Sequence, residues 1–227
     1  MKSFDFVQAF VLDNSGMRGR FTKLAEVIDT ALFAHKYPEP VEKLLAESIV
    51  LCVLLSSLLK YEGIFTLQVK SDGPVSLLVV DINDKGDLRA YARFDEKKVE
   101  NTSVLLGKGY LAFTVDQGVN TQNYQGIVEI TNHSLGESAK AYFKNSEQID
   151  ADLLMMVEKT NEKWHAGGIM LQRLPSDGSK SPSENDFKTA SFLMKTCTPK
   201  ELLSTDLSAD ELLYRLFHEE VVRVFAK

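Results

Sequence analysis

The sequence predicts an α+β fold, a largely antiparallel sheet core with a long buried helix, followed by a helical linker region. Three observations carry this reading. Short runs of β-branched and large apolar residues recur through the first three-quarters of the chain, punctuated by turn signals. The segment Pro38–Lys60 is apolar almost all round from Ile49 to Leu59, the signature of a helix covered on more than one side. At Pro175 the composition changes to Ser, Asp, Gly, Pro and charge, and short amphipathic segments follow.

The strands come first. Phe65–Lys70 and Val75–Ile82 flank Ser71-Asp72-Gly73-Pro74, and Asn83-Asp84-Lys85-Gly86-Asp87 leads into Leu88–Phe94, so these three form an antiparallel meander. Tyr110–Val115, Tyr124–Ile130, Leu153–Lys159 and Gly168–Leu174 extend the strand content. In the long helix Pro38 and Pro40 suit the opening turn, where a missing N–H costs little, and Glu39, Glu42 and Glu47 precede Lys60 as the helix dipole favours. Ser134 through Glu137 reads as a capping box opening a helix to about Asn145. Ser176–Asp186 reads as a linker; beyond it, Thr198 with Glu201 and Ser208 with Glu211 are two further capping boxes. Leu212, Leu213, Leu216 and Phe217 then make one apolar stripe.

Composition narrows the function classes. The chain has 227 residues, 44% hydrophobic and 26% charged, which is enough for a stable core without metals or disulfides. A formal charge of −6 argues against a non-specific nucleic-acid partner, which needs a basic face for phosphates. Ser48–Leu59, the longest charge-free apolar stretch, is too short to cross a bilayer, which takes about 20 residues. Residues 1–12 are apolar, but Asp5 interrupts them and no small-residue cleavage site follows. The expectation is therefore a cytoplasmic protein with no membrane partner, in which Cys52 and Cys197 are free thiols.

Little in the sequence selects a chemistry. His35, His133, His165 and His218 are scattered, none at metal-ligand spacing with another His or Cys. Gly107-Lys108-Gly109 lacks the upstream glycine and the following hydroxyl of a phosphate loop and reads as a turn. Gly167-Gly168 has the backbone freedom of an oxyanion hole, but no nucleophile elbow accompanies it. Carboxylate pairs such as Asp95-Glu96 and Glu219-Glu220 read as solvated surface. No catalytic, cofactor-binding or metal-ligating residue is assigned. The unusual feature is the C-terminal run of apolar stripes, which must dock on something or bind a partner. Its candidate docking or client-binding residues are Phe187, Leu193, Met194, Leu202, Leu203, Leu207, Leu212, Leu213, Leu216 and Phe217.

A set of short motifs, weak singly and specific in their joint order, resembles one known family. They are Arg18-Gly19-Arg20-Phe21, His35 through Val41, Leu59-Lys60-Tyr61-Glu62-Gly63, Asp72-Gly73-Pro74, Arg89 with Ala92-Arg93, Tyr124-Gln125-Gly126, Tyr142-Phe143 with Ser146-Glu147-Gln148, Ala166-Gly167-Gly168 through Leu171-Gln172, and Leu216 through Glu220. The chain is similar over nearly its whole length to the heat shock protein 33 family of redox-regulated holdase chaperones. Ala90 and Ser71 depart from the family's usual glycines. The resemblance implies an ATP-independent chaperone that holds unfolding or oxidatively damaged proteins, with residues 1–175 as chaperone core and 176–227 as a flexible linker. It implies homodimerisation on activation, and a zinc redox switch with C-x-C and C-x-x-C ligands soon after the H-E-E motif. That switch is expected to be missing here, since the sequence finishes at Lys227, leaving a chain without cofactor whose holding activity needs no oxidant. An enzyme of unknown class acting on a small molecule is the alternative.

Overall fold

The computed structural model describes residues 4–33, 35–117, 124–173 and 183–225. Alternation of buried and half-buried positions marks the first two strands, β1 (Phe6–Leu12) and β2 (Met17–Leu24), a hairpin absent from the turn-based reading above. Helices α1 (Glu26–Phe33) and α2 (Glu39–Ser56) follow. The meander appears as β3 (Ile64–Ser71), β4 (Val75–Asn83) and β5 (Leu88–Phe94). Then come α3 (Glu96–Glu100), β6 (Gly109–Asp116), β7 (Tyr124–Glu129) and α4 (Leu135–Tyr142). The hairpin β8 (Ala151–Thr160) and β9 (Lys163–Arg173) closes this region. The remaining elements are α5 (Glu184–Lys195), α6 (Pro199–Leu202), α7 (Ala209–Phe217) and β10 (Val222–Val224).

The described strands form two five-stranded antiparallel sheets rather than one. The first runs β10-β1-β2-β9-β8 and the second β5-β4-β3-β6-β7. Between them lies α2, touching β2, β8 and β9 on one side and β3, β4 and β5 on the other. Every residue from Ser48 to Ser56 is buried, which is why that stretch of sequence is apolar all round. Its two serines bond back into the helix, Ser48 Oγ to the Leu44 carbonyl at 2.8 Å and Ser56 Oγ to that of Val53 at 3.2 Å. The helix stops at Ser56, short of the expected Lys60. The N–H groups of Leu58 and Leu59 bond to carbonyls three residues back, and Arg20 Nε caps the end by donating to the Ser57 carbonyl at 3.1 Å.

Ser134 caps α4 as expected, its side chain accepting from the Glu137 N–H. The helix then widens into a π-helical turn over Phe143–Glu147, and Gln148 leaves it in the left-handed conformation at φ 56°. The sequence reading placed an ordinary helix here, since nothing in residue type distinguishes the wider turn. The expected linker Ser176–Asp186 falls mostly outside the described residues; where description resumes, Ser183 caps α5 in a reciprocal box with Asp186.

Candidate functional site

The strand period of two gives the first sheet two unlike faces. Met170, Ala166 and Val157 point toward α2 and join the central core. Phe10, Leu12, Met17, Phe21, Ile169 and Leu171 point the other way and form the floor of a second apolar cluster. Its roof is the C-terminal segment, in which Ala190, Met194, Cys197, Leu202, Ala209, Leu212, Leu213, Leu216 and Phe217 are buried against that floor. Phe217 and Phe10 stack with ring centres 6.1 Å apart.

Of the ten residues singled out from sequence, Met194, Leu202, Leu212, Leu213, Leu216 and Phe217 are buried here, and Phe187, Leu193, Leu203 and Leu207 are half-buried on its margin. The structure thus brings all ten to one side of one sheet. The floor was missed by the sequence reading, although the alternation Phe6, Gln8, Phe10, Leu12 is a period-two signal. Two aromatic residues on the far side of the roof, Phe192 and Tyr214, are 70% and 69% exposed, so the helices α5 and α7 show apolar groups on both sides.

Gly167 and Gly168 find their reason in this layering. A Cβ on Gly167 would lie 2.9 Å from Leu202 Cγ in the roof, and one on Gly168 would lie 2.7 Å from Val50 Cγ1 of α2. The pair lets both layers approach the sheet closely, and the alternative of an anion-binding backbone has no support from the packing. Gly107-Lys108-Gly109 likewise forms the turn into β6, with the Lys108 carbonyl accepting from the Asp72 N–H at 2.9 Å.

Polar contacts fasten the roof at its edges. Lys23, on the floor face of β2, is 3% exposed. Its ammonium donates to the carbonyls of Ser204 and Leu207, both at 2.7 Å, and so clasps the loop between α6 and α7. Asp152 on β8 pairs with Lys195 of α5 at 2.5 Å and with Lys140 of α4 at 3.4 Å. The Gln8 side-chain amide donates to the Phe225 carbonyl, and Arg223 donates to Asp13, so β10 is held beside β1 by side chains as well as by its ladder. Within the roof, Arg215 Nε donates to Glu201 Oε1 at 2.7 Å. With the Thr198 cap, this holds the Glu201 carboxyl down at about 2.

The thiols are poor chemical groups. Cys52 lies inside α2 facing the Val80 carbonyl, and burial drives its pKa far up. Cys197 is 3% exposed in the roof, and burial first, then Glu201, pushes it up to about 11. Both are free, and each belongs to a different apolar cluster. Among the described residues no group of three or more His, Cys, Asp or Glu could hold a metal ion. These residues do not fit a zinc site, which takes three or four such ligands together. No described helix is long and apolar enough to cross a membrane.

Known proteins resemble this chain in sequence and in fold. The family model described as Hsp33 protein matches residues 5–227. A 33 kDa chaperonin from Caulobacter vibrioides is 36% identical over 97% of this chain and 77% of its own length. One from Shewanella denitrificans is 37% identical over 98% of this chain and 75% of its own. The crystal structure of the 33 kDa chaperonin of Thermotoga maritima, a heat shock protein 33 homologue, superimposes with a TM-score of 0.79 at 19% identity, covering 96% of this chain and 77% of that one. At that identity the superposition speaks for the fold, two antiparallel sheets about a buried helix, while the matched family model and the closer sequence relatives carry the assignment: the chain belongs to the heat shock protein 33 family.

Proposed function

We propose that this chain is a molecular chaperone of the holding type, which binds unfolding polypeptides and keeps them from aggregating without ATP. The observation that carries the reading is the second apolar cluster, a sheet face covered, among the described residues, by short helices and the turns between them. Separating floor from roof would uncover apolar side chains on both, a broad and non-specific surface of the kind that captures many partners. The chaperonin names of the relatives support it. On this reading residues 1–175 act as the core and 176–227 as a linker that docks and releases. The ten apolar residues named above serve both docking and client contact. The role is non-catalytic, the partners are non-native proteins in the cytoplasm, and the active form is a homodimer. Redox control would not reside in Cys52 or Cys197, whose burial suppresses the thiolate.

The test is light scattering from a heat-unfolded client with and without the chain. Suppression near one chain per client supports the proposal; undiminished scattering at several-fold excess refutes it. Client holding should survive high salt, because the surface is apolar; complete loss in salt would point to charge instead.

A further inference from the structure

A second feature lies on the opposite side of the first sheet from the roof. Four sequence segments converge there on one cavity of about 100 Å³. Arg18 comes from β2, Leu59 from the turn after α2, Tyr124 from the start of β7, and Tyr142, Phe143 and Glu147 from the end of α4 and its π-helical turn. Leu55, Leu58, Phe65, Phe113 and Ile149 complete an apolar wall.

The polar groups at this cavity form a tight cluster. The wide turn carries Glu147 onto two hydroxyls: Tyr124 and Tyr142 both donate to its Oε1, and their oxygens lie 2.6 Å apart. These bonds hold the Glu147 carboxyl below its ordinary range, so it stays an anion and an acceptor. Gly126 keeps the rings in place, since a Cβ there would lie 2.4 Å from the Phe113 ring and 2.8 Å from that of Tyr142. Across the cavity, Arg18 Nε donates to Gln172 Oε1 at 2.7 Å. Among the described residues no acceptor meets its two terminal nitrogens, although the side chain is half-buried.

Size and charge together select an occupant. An apolar cavity of roughly 150 Å³ takes a benzene ring, so this one is too small for a cofactor and suits one aliphatic side chain. A cation and an anion facing one cavity match a neutral group with both an acceptor and a donor, which is what a peptide unit offers. Tyr124 also opens β7, which among the described residues pairs with β6 alone and so forms the edge of its sheet beside the cavity. We propose that this cavity binds one branched aliphatic side chain of an extended non-native polypeptide, with Arg18 donating to a flanking peptide carbonyl and Glu147 accepting from a flanking N–H. The assignment rests on the holding function proposed above and gives it a second, residue-sized contact apart from the tail-covered face.

The experiment is a methyl NMR titration of the whole chain with N-acetyl-L-leucinamide, with N-acetyl-L-alaninamide as the small control, run beside the light-scattering assay. The expected result is saturable shifts at the Ile149, Leu55 and Leu58 methyls. The leucine probe should bind roughly tenfold or more tightly than the alanine probe, from its three extra buried carbons. Ile149→Phe, which fills the space, should abolish the shifts; if that variant does not fold, the leucine-against-alanine comparison on the unmodified chain decides alone. No shift at these methyls, or equal response to both probes, overturns the cavity assignment even if clients are held. Failure to suppress scattering overturns the holding function instead, and leucine-selective binding would then mark the cavity as a peptide site of another kind, removing the client from the proposal.

Discussion

Replacing Phe217 by Ala should loosen the tail without unfolding the sheets. The Phe217 ring is fully buried between floor and roof and stacks on Phe10. Truncating such a residue costs about 3–5 kcal/mol, from lost transfer energy and the cavity left behind. Phe217 belongs to the second apolar cluster and not to the core around α2, so the cost should fall on the docking of the tail. At about 1.4 kcal/mol per tenfold, the open population rises by roughly a hundred- to several-thousand-fold. Hydrogen exchange read amide by amide measures this directly, because local opening and global unfolding separate there. The amides of α5 and α7 should exchange faster by that factor, while those of β3, β4 and β6 in the second sheet stay as slow as before. Equal acceleration in the tail helices and in the second sheet would refute the reasoning, since it would make tail and core one cooperative unit. No acceleration anywhere would show that the stack of Phe217 on Phe10 contributes nothing to docking.

Other consequences are sharp enough to measure. Lys23→Met removes two charge-assisted bonds to the Ser204 and Leu207 carbonyls but also the need to bury a charge, so faster exchange at 204–209 by roughly ten- to a hundred-fold is expected, and unchanged exchange would show the clasp to be idle. The Glu201 carboxyl, held at about 2 against an ordinary 4.5, contributes stability that is complete above about pH 4.5 and is lost as pH falls toward 2. Tail exchange in the Glu201→Gln variant should therefore differ from the parent at pH 6 and converge with it near pH 2; a difference that persists at pH 2 would contradict the assignment. A thiol reagent at pH 8 should label Cys52 hardly at all in the folded chain and both cysteines at once in denaturant, whereas prompt labelling of Cys52 would contradict its place inside α2.

Much of the fold was legible because its signals are local. The meander from β3 to β5 announces itself through two turns, and α2 through an apolar run too wide for a one-sided helix. The expected capping boxes at Thr198 and Ser208 form and head helices, and Ser134 heads one through a single cap bond from the Glu137 N–H. What was not legible is longer in range. β1 and β10 pair across more than 200 residues, and a strand of three residues such as Val222–Val224 has no periodicity to read. That the strands divide into two sheets follows from α2 needing cover on both sides, which its composition hinted at without saying which strands supply it. In the candidate site the roof was readable as apolar stripes, but the floor was hidden. Gln8 and Lys23 are polar by type, yet the fold buries them because Phe225, Ser204 and Leu207 offer carbonyls to satisfy them. The Tyr124, Tyr142 and Glu147 cluster was invisible for a different reason: only the widened turn after α4 sets Glu147 against both rings.

The central claim is that the face of the first sheet beneath the tail holds clients. The direct measurement places a photo-crosslinking phenylalanine analogue at Phe21, on that face, and in a second protein at Tyr91, on the second sheet away from both proposed contacts. Each is illuminated during holding of a heat-unfolded client. The account predicts client adducts from position 21 that exceed those from position 91 several-fold; equal adducts from both, or none from position 21 while the client stays soluble, would contradict it.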